Sequence, residues 1–170
     1  GVQRVLFRSG LKNNYALVGQ GSVYMVFDIT NLSQPQLLYD TTLPGDIVQI
    51  KIVDSLLLVE VGGSIRIYRS SNLFPLVQIG EFPSNDAWVD MSVSDSMLYT
   101  VANYSGVYAI NISDPANPQY RMQFPGAEFS YSISSQGRYV YYGPGEGPQF
   151  RKLMILRYRS DSTFVWKDVW

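Results

Sequence analysis

A recurrence of turns constrains this chain more than any other feature. Polar two-residue steps at Asn13-Asn14, Asp54-Ser55, Asp95-Ser96 and Gln136-Gly137 follow one another at intervals of 41 residues. A second kind of turn keeps the same beat at Asn31, Asn72 and Asp114, each trailed by a proline (Pro35, Pro75, Pro118). A third carries Pro44, Pro83 and Pro125. Proline lacks the amide hydrogen that a sheet ladder needs, and Asn and Asp bond their own backbone, so each step ends an extended segment. Three kinds of turn recurring in phase describe one structural unit written several times.

The stretch 107–118 (VYAINISDPANP) shows the unit most clearly. Val107, Ala109 and Asn111 alternate with Tyr108, Ile110 and Ile112, as in a strand with two faces, and Ser113, Asp114 and Pro115 then stop it. The same reading predicts strands over residues 2–7, 15–18, 23–29 and 36–40, with 10–14 as a turn. It predicts 47–53, 56–61, 64–68 and 76–79 in the next unit, then 88–93, 97–101, 107–112 and 120–124. A looser last copy has 129–134, 138–142, 153–158 and 163–166 around a Gly/Pro loop at 143–152. No stretch of useful length has helical periodicity.

Four strands in a period near 41 residues predict an all-β fold, a β-propeller of four-stranded antiparallel blades, about four in this chain. The units fall at about 1–43, 44–82, 83–124 and 125–170. One small twisted sheet cannot bury both faces alone, but stacked neighbours cover each other. That accounts for the continuous apolar runs at 25–27 and 56–59.

The apolar strand ending in a small polar turn and an Asx-Pro step resembles the LVIVD-repeat family of β-propellers. Residues 112–118 (ISDPANP) carry the likeness best, followed by 27–35 (FDITNLSQP) and a shortened copy at 68–75; the last copy, 158–161, has lost its proline. The resemblance implies an exported or cell-surface bacterial or archaeal protein, often part of a larger anchored chain, and implies no catalytic residues.

Composition removes whole classes of chemistry. The 170 residues contain no Cys and no His, so disulfides, thiolate nucleophiles, Cys/His zinc sites and a Ser-His-Asp triad are excluded within this chain. A net charge of −1 gives no broad positive field for nucleic acid or anionic lipid. No run approaches the ~18 apolar residues of a membrane-spanning helix. The chain begins with Gly1 and shows no signal peptide, which reads as a piece of something longer.

The loops between units, and those between second and third strands, gather at one end of a propeller. There the sequence places Asp46, Asp86, Trp88, Tyr104 and Glu128, with Glu146 and Arg151 in the inserted loop 143–152. Asp46, Asp86 and Glu128 follow the inter-unit prolines at near-equivalent positions. They read either as a partial acid ring for a hard cation or as turn acids capping exposed amides, and no dedicated calcium loop is present. Trp88 and Tyr104 read as a stacking surface for a sugar or peptide, or as packing between blades. The glycines of 143–152 lack a phosphate loop's lysine and spacing. A hydrolase would need two acids about 5–9 Å apart in a cleft, for which Asp86 with Glu128, or Asp46 with Asp86, are the candidates.

The expectation is therefore a non-enzymatic structural or protein-interaction module, without cofactor or metal, of an exported protein. Its partners are a protein, further blades of a parent chain, or a second copy. Binding of carbohydrate or cation on the loop face is the alternative, and a lobe of a propeller enzyme the third.

Overall fold

The computed structural model describes residues 7–83, 86, 88–102, 105–125, 132–143, 153–159 and 163–169. All its regular elements are strands, in four antiparallel four-stranded sheets. The first holds β1 (Phe7–Lys12), β2 (Tyr15–Gln20), β3 (Val23–Asp28) and β4 (Gln36–Thr42). The second holds β5 (Ile47–Val53), β6 (Leu56–Val61), β7 (Ser64–Arg69) and β8 (Gln78–Pro83). The third holds β9 (Trp88–Ser94), β10 (Met97–Ala102), β11 (Gly106–Asn111) and β12 (Gln119–Phe124). The fourth holds β13 (Ser132–Gln136), β14 (Tyr139–Gly143), β15 (Met154–Tyr158) and β16 (Phe164–Val169). Within each sheet, strands adjacent in sequence pair with one another. Among the described residues no helix is long and apolar enough to cross a membrane.

The chain divides into two compact units, Gly1–Ser84 and Asn85–Trp170, each containing two sheets. In the first, Leu17, Tyr24 and Val26 of one sheet pack on Ile47, Ile50, Leu57 and Val59 of the other. In the second, Tyr99, Val101, Val107 and Ala109 meet Ile133, Val140, Tyr142 and Leu156. Polar contacts pin that second interface. Asp90 accepts the backbone N–H of Ile133 at 2.9 Å, and the Ser92 and Ser135 hydroxyls lie 2.8 Å apart.

Every sheet repeats two local devices. The first residue of each first hairpin turn has a left-handed backbone: Asn13, Asp54, Asp95 and Gly137, with φ between 51° and 56°. The pairing of third with fourth strand slips by one residue in all four sheets, a bulge that bends the outer strand. The Asx turns recur too. Asp28 and Asn111 each accept the N–H two residues on, and so do Asn31 and Asp114. These bonds hold the Asp28 and Asp114 carboxyls below the usual range, through Thr30 and through Asn117 with Ala116 respectively. Where the first sheet passes to the second, Gly45 approaches Gly62 so closely that a Cβ on Gly45 would lie 2.7 Å from the Gly62 Cα.

Three expectations are corrected. Residues 2–6 and 129–131 lie outside the described residues, and the first described strand is β1, which includes the Gly10, Leu11 and Lys12 assigned to a turn. Gly10 is a strand residue lying against Ile50 and Ile52, and the turn is Asn13-Asn14 alone. The last strand of the second unit is β8, not 76–79, because the loop before it is longer. The fourth hairpin turns at Gly137-Arg138, since Gln136 pairs with Tyr139. One residue of slip sends every side chain of β14 to the opposite face. It is this register that turns Val140 and Tyr142 toward the third sheet.

Candidate functional site

Each sheet has two ends within its own unit. The turns between second and third strands and the links between sheets lie at one end, as when Leu43 donates to Ser22 O at 2.8 Å and Ile47 to Gly21 O at 2.7 Å. The first hairpin turns and the loops between third and fourth strands lie at the other, where the Ile29 N–H reaches Asn14 O at 2.8 Å.

At the linking end, Asp46 is exposed in the turn before β5, and its backbone carbonyl accepts the Gly62 N–H at 3.4 Å. Asp86 is half-buried; it accepts the Ser105 hydroxyl at 2.9 Å and the Tyr108 hydroxyl. Burial, then the Asp86 hydrogen bond, pushes Tyr108 up to about 12. Trp88 is only 3% exposed, its ring edge-on to Tyr108 with centroids 4.8 Å apart. Asp86 and Trp88 thus anchor the approach to β11. Tyr104, Glu128, Glu146 and Arg151 lie outside the described residues. Among the described residues no group of three acids gathers that could hold a metal.

The opposite end of the first unit holds a cleft of about 450 Å³, within the size range of small-molecule sites. One wall is the first hairpin, with Lys12, Asn13 and Tyr15; the other is the loop after β7, from Ser70 to Phe74. Ser70 is buried and stands between them. Its N–H donates to Ser55 O at 2.8 Å, its hydroxyl donates to Asp54 O at 3.0 Å, and the Lys12 ammonium donates to that hydroxyl at 2.5 Å. Phe74 forms the apolar rim, 38% exposed, edge-on to Tyr15 at 5.8 Å and stacked on Tyr39 at 6.3 Å. Deeper, Tyr24 donates to Leu73 O at 3.5 Å, and burial raises its phenol above the ordinary value.

The cause of the cleft can be read from the repeat. The backbone N–H bonded to the second residue of the hairpin turn belongs to Ile29, Ser70, Ile112 and Tyr158 in the four sheets. Three of these side chains are large, and Ser70 is the exception. Arg69 also replaces the acceptor found at Asp28 and Asn111, so this loop is built without that Asx turn. Both departures were visible in the aligned units. The sequence points instead to the linking end, since the loop after β7 reads only as a shortened copy of its neighbours.

No family model matches the chain, and no curated protein matches it. Solved structures do. A computationally designed protein, Ika4, superposes with a TM-score of 0.68 at 13% identity over 99% of this chain and 92% of its own. A functionally unknown protein from Desulfotomaculum acetoxidans gives 0.74 at 14% identity over 96% of this chain. A second designed protein, Ika8, gives 0.67 at 12% identity over 91%. This chain spans 55% and 46% of the length of those last two. At such identities the likeness is one of fold.

Proposed function

We propose that the chain is a run of β-propeller blades of LVIVD-repeat type, acting as a non-enzymatic structural and protein-interaction module of an exported or cell-surface protein. One observation carries this reading, the outer face of the first sheet. Leu11, Ala16, Val18, Met25, Phe27 and Leu37 share that face by register, with Leu11 70% and Leu37 52% exposed. At the matching positions of the second sheet, Leu57, Val59 and Tyr68 are buried beneath the first. The same surface that one sheet hides under its neighbour is partly exposed on the other, half-buried at Ala16, Val18, Met25 and Phe27 and open at Leu11 and Leu37, and such a face fits a further sheet of the same kind. Further blades of a longer parent chain are the occupant.

Sedimentation velocity across a concentration series tests this, because in the isolated chain a second copy takes the place of the missing sheet. Reversible association that Val18→Lys and Met25→Lys abolish is the expected result. A parent that stays monomeric at every concentration and binds no apolar dye would overturn the reading.

A further inference from the structure

The cleft beside Ser70 has a chemistry of its own, independent of the scaffold reading. Lys12 brings a positive charge to its wall and makes no ion pair among the described residues, where the pair found is Arg66 with Glu81. Of its three N–H donors, Ser70 takes one. Asn13, Ser71 and Asn72 are exposed; Ser71 donates its hydroxyl to Asn72 Oδ1 at 3.2 Å, which leaves the Ser71 oxygen to accept, the Asn72 amide hydrogens to donate and the whole Asn13 amide to do both. The Phe74 ring, held by Tyr15 and Tyr39, is a fixed apolar plate at the mouth.

We infer that this cleft binds an acidic saccharide, a hexuronic or related sugar acid. A pyranose ring has an apolar C–H face to lay on Phe74 and a rim of hydroxyls, each both donor and acceptor, to meet Asn13, Ser71 and Asn72. Its carboxylate meets Lys12 in a charge-assisted hydrogen bond. A neutral sugar leaves the ammonium without a counter-charge. A glutamate-rich peptide satisfies the ammonium and can bond the amides through its backbone, but it has no ring face to lay on the plate. Ser70 acts as a positioning residue: its hydroxyl accepts from Lys12 while donating to the Asp54 carbonyl, which aims the ammonium along the wall. A larger side chain there would occupy the cleft, as the ring at the matching position of the fourth sheet occupies its own site.

Calorimetric titration of the whole chain decides the matter, with trigalacturonic acid, a glucuronic acid disaccharide and sialyllactose against neutral galactotriose and a glutamate-rich peptide. At least one sugar acid is expected to bind about tenfold tighter than the neutral trisaccharide, an advantage that Lys12→Gln removes. Phe74→Ala is expected to abolish binding of every sugar, and unchanged thermal melting of both variants shows that they are folded. The inference is overturned if no sugar acid binds more tightly than galactotriose, if both variants bind like the parent, or if the peptide binds as tightly as the sugar acids.

Discussion

Ser70 and Tyr158 occupy one backbone position in two sheets and give opposite results. Each donates its N–H to the second residue of its sheet's first hairpin turn, at 2.8 Å in both cases. In the fourth sheet the Tyr158 ring lies 5.7 Å from Phe164 and 6.2 Å from Tyr99, and Phe124 closes on Phe164 at 6.2 Å. Four half-buried or buried aromatic rings meet between the sheets there. In the second sheet the side chain is a hydroxymethyl group, and Lys12 reaches in to meet it. The lesson concerns packing: a repeat keeps its backbone bonds while one side chain decides whether the junction is core or cleft.

Exchanging residues at these positions tests the contrast. The largest effect is expected from Tyr158→Ser, which should cost about 2–4 kcal/mol in chemical denaturation, because a ring is lost from a packed cluster. A loss near zero would mean that the cluster adds nothing beyond surface contact. Ser70→Ala should cost about 1 kcal/mol by the same measurement, since it removes a buried hydroxyl that bridges Lys12 and Asp54 O.

Tyr142 separates neutral from alkaline behaviour. Its hydroxyl is buried with no hydrogen-bond partner among the described residues, and burial pushes it up to about 12. Tyr142→Phe should therefore leave stability at pH 7 unchanged or raise it by about 1 kcal/mol, because it removes a buried hydroxyl that has no partner. A phenol whose folded value is raised supports folding fully below its unfolded value of about 10, and that support is lost as pH rises through about 12. Over that window the phenylalanine variant should outlast the parent; parallel alkaline unfolding of the two would refute the assignment.

The smallest effect belongs to the surface Asx turns. The Asp114 carboxyl is held below its usual 3.8, first by Asn117 and then by the Ala116 N–H. A depressed carboxylate supports folding above its unfolded value and loses that support as pH falls below it. Acid titration of Asp114→Ala should lack this last part of the parent's decline below about pH 4, and an unchanged acid limb would show the turn to be energetically idle.

Much of the fold is legible in the sequence. Residues 47–53 and 56–61 coincide with β5 and β6, since alternation and Asx turns mark both ends. The errors came where a residue type has two meanings. Gly10 reads as a turn residue but lies inside β1, and Gln136-Gly137 keeps the exact period while the hairpin turns one residue later. Asp46 and Asp86 lie outside the strands, but a sequence cannot show that Asp86 is occupied by Ser105 and Tyr108. The cleft was half legible, as a serine standing where the other copies carry Ile or Tyr.

By itself the sequence determined the cadence: strand, turn and bulge recur because turn chemistry and alternation act locally, within a few residues. Tertiary structure alone decided which faces became core and which junction stayed open. Those outcomes depend on side chains distant in sequence, Lys12 against Ser70 and Tyr99 against Phe164, whose meeting is set by how one sheet is laid on the next.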